Sequence, residues 1–152
     1  SGKFARGLAL LSPLAYRPPA EQTDLEFDLV LSAGRILEHF HTGSMTRRSA
    51  LLDTLVRSGH VELHPDDAAR LGIVDGDRVA VSTRRGRIET TASVTERVAL
   101  GSIFVPFHFA EAAANVLTND ALDPVAKIPE YKVCAARIEP IAGGRNSEVT
   151  AR

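Results

Sequence analysis

Residues 75–96 read DGDRVAVSTRRGRIETTASVTE, and no other stretch constrains the fold as strongly. Apolar and polar side chains alternate up to Thr83, a turn containing Gly86 interrupts them, and alternation resumes at Arg87. A period of two puts successive side chains on opposite faces, so this stretch predicts a hairpin with one buried face. An isolated hairpin is marginal in water and needs further strands. Four segments can supply them: EFDLVLSAG (26–34), HVELHP (60–65), SIFVPF (102–107) and YKVCAARIEPI (131–141). Helical signals are short. Leu51, Leu52, Leu55 and Val56 share one face of SALLDTLVRSG, Pro65 and Asp66 open a helix that Gly72 ends, and an Ala-rich helix is expected over 110–117.

The strands follow one another without strict βαβ alternation and without a repeat. With no Trp, one Met and 5% aromatic residues, Val, Ile, Leu and Ala must fill the core. The expectation is a mainly β fold with short helices, closed into a barrel because closure removes strand edges. The chain has 152 residues, enough for one core. Residues 1–24, with Pro13, Pro18 and Pro19, read as an extended interdomain arm, residues 25–140 as the barrel, and residues 141–152 as a disordered tail. The 18 basic and 19 acidic residues give no field that would favour nucleic acid or a membrane surface. One cysteine, Cys134, excludes an internal disulfide framework and a multi-cysteine metal site. No apolar run is long enough for a membrane-spanning helix.

GRILEHFHTGSMTRR (34–48) follows the first strand and gathers Arg35, Glu38, His39, His41, Thr42, Ser44, Thr46, Arg47 and Arg48. Three chemistries compete for it. A metal could use His39 and His41, but a zinc site needs three or four ligands and His60, His64 and His108 lack suitable spacing. A nucleophile could be Ser44 or Ser102, each in a Gly-Ser pair like those of self-cleaving pyruvoyl enzymes, although no G-x-S-x-G elbow is present. An anion suits the segment best. Glycines let backbone N–H groups converge, Arg35 offers a fork to phosphate, and hydroxyls and imidazoles add donors against one carboxylate, Glu38. The bland alternative is a solvated basic loop with one Arg–Glu pair. A second cluster lies in FHFAEAAANVLTNDALDPVAKIPEYK (107–132), where Asn115, Asn119, Asp120 and Asp123 could read a base edge and Lys127 and Lys132 could meet phosphate. These residues could equally form Asn/Asp turns. TRRGR (83–87) reads as an exposed hairpin tip.

Together, GRILEHFHTGSMTRR, VELHPDDAARLGIVDGDRVAVSTRRGRIE and FVPFHFAEAAANVLTNDALDPVAKIPEYKVCAARIE resemble the C-terminal domain of the molybdopterin oxidoreductases. The likeness runs from about residue 13 to 140 and is greatest to a formate dehydrogenase alpha subunit of the cytoplasmic NAD-linked kind. Nitrate reductases share the first motif and are less similar in the second. The resemblance implies a double-psi β-barrel, like that of aspartate decarboxylase. It implies a molybdenum or tungsten centre carried by two molybdopterin guanine dinucleotides. Gly34, Arg35, Ile36, Leu37, Glu38, His39, His41, Thr42 and Ser44 would then contact the dinucleotide, joined by Phe107, Asn115 and Lys132. Ala33 stands where relatives often have Thr. The metal ligand, its catalytic partners and the iron–sulfur cysteines belong to earlier domains of such a subunit, so no residue here is expected to be catalytic or to bind metal. The implied partners are those domains and electron-transfer subunits, and the implied location is the cytoplasm.

Overall fold

A computed structural model describes residues 4, 5 and 7–145 of the chain. Six strands form it: β1 (Leu29–Gly34), β2 (His60–Leu63), β3 (Asp77–Ser82), β4 (Arg87–Val94), β5 (Ser102–Pro106) and β6 (Cys134–Arg145). Two helices, α1 (Ala50–Leu55) and α2 (Pro65–Leu71), lie between them. The strands close in the order β1-β5-β2-β4-β3-β6. Pairs β1–β5 and β2–β4 are parallel, and the other four contacts are antiparallel. This closed, mixed barrel is the double-psi architecture. Its interior is packed by small branched side chains, among them Leu29, Leu31, Val61, Leu63, Val79, Val81, Ile103 and Val105, all fully buried.

Local signals account for most boundaries. The hairpin expected from alternation is β3–β4, with Val79 opposite Thr90 and Val81 opposite Ile88. Helix α2 starts at Pro65, and the Asp66 N–H donates to His64 Nδ1 at 3.2 Å. It ends at Gly72, in the left-handed conformation at φ 67°. Strand β1 starts later than expected because the Asp24 carboxylate accepts the Glu26 and Phe27 N–H groups at 2.9 and 2.8 Å and turns the chain.

Three expectations need correction. The Ala-rich segment forms two single 3₁₀ turns, Ala110–Ala112 and Ala114–Val116, separated by Ala113 in extended conformation. Burial of Ala112 and Ala114 against the barrel overrides the helix propensity of alanine. Leu51 and Leu55 of α1 are exposed, and of the expected apolar face only Val56, at the helix C-cap, packs against the core among the described residues. Strand β6 runs on through residues 142–145, where a tail was expected, and Arg145 pairs with Asp77 of β3. The remainder of the expected tail, 146–152, lies outside the described residues.

The arm ends in a clasp. Glu21 receives Arg84 at 2.5 Å and both guanidinium branches of Arg85 at 2.6 and 2.7 Å, and it accepts the Ala135 N–H of β6 at 3.2 Å. Arg84 also pairs with Asp24, and the Ala20 N–H donates to Glu130. The hairpin tip that looked like a solvated turn therefore holds residues 20–24 against the barrel.

Candidate functional site

The loop that follows β1 is built by two close approaches. A Cβ on Gly34 would lie 2.6 Å from the Phe104 ring and 3.1 Å from Lys132 Nζ, so only glycine lets these side chains cross the strand end. Gly43 is buried at φ 74°, and a Cβ there would meet Arg47 Cδ at 2.8 Å and the His108 carbonyl at 3.0 Å. Between the two glycines the chain makes a compact excursion, with His41 in the left-handed region at φ 47°. The Gly43 N–H donates to the Phe40 carbonyl at 2.9 Å.

Several expected site residues remain accessible on this loop. Arg35 is exposed, and its guanidinium carbon lies 5.8 Å from the Phe107 ring centre, a cation–π contact that steers the side chain. Leu37 is 97% exposed. His41, Thr42 and Ser44 are exposed, and Ile36 and Glu38 are half-buried. Lys132 reaches back to donate to the Ala33 carbonyl at 2.8 Å, which brings its ammonium group beside Gly34. Phe107 is half-buried, and its N–H donates to the Gly34 carbonyl at 3.1 Å. Arg35, Ile36, Leu37 and Glu38 form one wall of a cleft of about 420 Å³, with His60, Glu62 and Arg97 opposite. Arg97 neutralises the buried Glu62 carboxylate at 2.6 Å.

His39 behaves differently. It is 4% exposed, its Nε2–H donates to the Val56 carbonyl at 2.7 Å, and Nδ1 faces the Thr46 hydroxyl at 3.1 Å. Both ring nitrogens are used inside the chain, so the imidazole has none left for a metal or a phosphate. Among the described residues, no three His, Cys, Asp or Glu side chains group as metal ligands. Arg47 is also engaged: it forks onto Glu111 with two bonds of 2.9 Å and lies 5.1 Å from the Phe109 ring centre.

The second cluster divides in the same way. Asn115 is exposed. Asn119 is buried, with Nδ2 donating to the Val133 carbonyl at 2.9 Å and Oδ1 accepting the Ala121 N–H at 3.0 Å. Asp123 accepts the Val125 and Ala126 N–H groups at 2.9 and 2.5 Å, and Lys127 donates to the Pro124 carbonyl. These three residues shape their own loop. Asp120 is exposed in a cleft with Arg84 and Arg85.

His108 went unassigned in the sequence. It is fully buried, accepts the Ile36 N–H on Nε2 at 3.0 Å, and donates from Nδ1 to the His41 carbonyl. Burial pushes its pKa below the ordinary imidazole value. Its position just after an apolar strand end was the available signal, because a polar ring buried there needs partners.

Comparison with known proteins adds four similarities. The family described as molydopterin dinucleotide binding domain matches residues 29–135. The F420-dependent formate dehydrogenase 1 subunit alpha of Methanococcus maripaludis is 50% identical over 135 residues, which cover 89% of this chain and 20% of that protein. A nitrate reductase of Symbiobacterium thermophilum is 44% identical over 137 residues, covering 88% of this chain and 18% of that protein. The chain thus spans about a fifth of the length of such relatives. Among solved structures, acetylene hydratase from Pelobacter acetylenicus superimposes with a TM-score of 0.66 at 21% identity, over 76% of this chain and 18% of that one, and shares its fold.

Proposed function

The chain belongs to the molydopterin dinucleotide binding domain family, and from that premise we propose that it closes over the guanine dinucleotide cofactor in the catalytic subunit of a molybdenum or tungsten formate dehydrogenase. The observation that carries this reading is the 50% identity to a formate dehydrogenase alpha subunit over 89% of this chain. The exposed donor set supports it. Arg35 and Lys132 supply positive charge near Gly34, and His41, Thr42 and Ser44 supply further donors on the same loop. Such a set fits pyrophosphate and ribose. Ile36, Leu37, Glu38 and Phe107 shape the walls, His39 contributes through its backbone and its packing, and Asn115 completes the site from the second cluster.

The bound cofactor supplies the redox metal centre at which formate is oxidised to carbon dioxide. This chain's share is to bind, neutralise and orient the cofactor. Metal ligand, catalytic partners and iron–sulfur clusters reside in preceding domains of the parent subunit, and electrons leave through partner subunits in the cytoplasm. The sequence resembles the NAD-linked kind without fixing the electron acceptor, and the relative from M. maripaludis is F420-dependent. The acceptor is set outside this chain. A nitrate reductase parent is the second reading, favoured by the 44% identity to that enzyme. Formate oxidation and nitrate reduction assays on the purified full-length subunit separate the two. Arg35→Ala in that subunit is expected to lower guanine nucleotide content by about tenfold, the effect of losing one charged fork to phosphate. Unchanged guanine content in this variant would sink the assignment of Arg35 to the dinucleotide.

A further inference from the structure

We propose that His108 is a positioning residue for the dinucleotide loop, its neutral imidazole fixing the distance between the two ends of the segment that faces the cofactor. The inference rests on the cofactor-binding reading above and deepens it. His108 stands two residues beyond the end of β5, beside β1, with which β5 runs parallel up to the pair Gly34–Pro106. The ladder makes one more bond, from the Phe107 N–H to the Gly34 carbonyl at 3.1 Å. The next rung of a parallel ladder would take the Ile36 N–H to a strand carbonyl. Instead that N–H donates to His108 Nε2 at 3.0 Å, so a side chain takes over where the sheet ends. The other ring nitrogen donates to the carbonyl of His41, the residue held at φ 47°. One ring therefore ties residue 36 to residue 41 and frames the segment between them.

Both bonds exist only in the Nδ1–H tautomer of the neutral ring, since Nε2 must accept. Arg35, His39 and His41 lie around the ring, and each opposes a second proton. Burial is the largest influence and lowers the pKa, while the bond to the His41 carbonyl works against it. For a depressed histidine the sign is fixed. The framed loop is fully stabilised above the ordinary value of 6.5 and is lost as pH falls through the lower folded value.

The test uses the full-length catalytic subunit, with guanine nucleotide released per subunit and amide hydrogen exchange of residues 34–43 as readouts. His108→Leu keeps the volume and removes both bonds. It is expected to lower guanine content between about tenfold and a hundredfold, the effect of leaving buried polar groups unpaired. It should also raise exchange at 34–43 while leaving β3 and β4 unchanged. His108→Asn, which can restore the donor to His41, and His108→Gln, which can restore the acceptor for Ile36, are each expected to recover part of the loss. In the unmodified subunit, loop exchange corrected for its intrinsic pH dependence should rise as pH falls below the ordinary imidazole value of 6.5 and through the lower folded value. This arm decides the matter even if the leucine variant fails to fold. Wild-type guanine content and loop protection in His108→Leu would overturn the proposal. So would a uniform rise in exchange across the barrel, which marks lost packing alone. An unmodified subunit that releases no guanine nucleotide would instead overturn the cofactor reading, and loop exchange would still decide whether His108 frames the segment.

Discussion

Two histidines separated by one residue ended in opposite roles because of what their rings reach. His39 turns inward to the Val56 carbonyl and the Thr46 hydroxyl, while His41 stays on the surface and lends only its carbonyl to His108. Residue type announced a donor-rich loop, yet the direction of each donor depended on groups distant in sequence. Arg47 is similar: Glu111, 64 residues away, takes its fork, so it braces the loop rather than meeting a phosphate. Gly43 was read as one of the glycines that let the loop's backbone N–H groups converge, and the structure gives it a specific reason. Gly43→Ala places a Cβ against Arg47 and the His108 carbonyl at positive φ. It should destabilise the chain by about 1–3 kcal/mol, read as a lower urea midpoint with an unchanged slope. A midpoint equal to that of the unmodified chain would show that the loop relaxes around the added methyl.

Strands and α2 were legible because periodicity, Pro and Gly act within a few residues. The arm's attachment was not, because it joins the β3–β4 turn to a residue about sixty positions earlier. Glu21 is the keystone: it receives Arg84 and Arg85 and caps an N–H of β6. The hydrogen bond from Arg85 is the main cause that holds its carboxyl below the ordinary 4.5. A depressed carboxylate stabilises above that ordinary value, and the contribution disappears as pH falls through the lower folded value. Glu21→Gln is expected to cost about 1–2 kcal/mol at neutral pH and to speed proteolytic cleavage within residues 13–24. The variant should also show a shallower loss of stability in acid. Equal cleavage rates for the two proteins would mean that the arm is held by other contacts.

At the scale of the molecule, barrel closure sets both stability and site geometry. Leu31 is fully buried on β1, between β5 and β6, and the same strand delivers Gly34 to the loop. Leu31→Ala should cost about 2–5 kcal/mol and, since the closed barrel has no free edge strand to fray, should lower a single cooperative unfolding transition. Two separated transitions would show that the loop side unfolds independently. By itself the sequence determined a mainly β barrel with short helices, its turns, the position of the donor-rich loop and a close resemblance to one family, because these follow from short-range periodicity, turn chemistry and long motifs. Only the tertiary structure decided which donors face outward, that the Ala-rich stretch gives up its helix, that the arm is clasped, and that His108 frames the loop. Each of these depends on a partner brought near by closure of the barrel, and sequence periodicity carries no record of such long-range pairing.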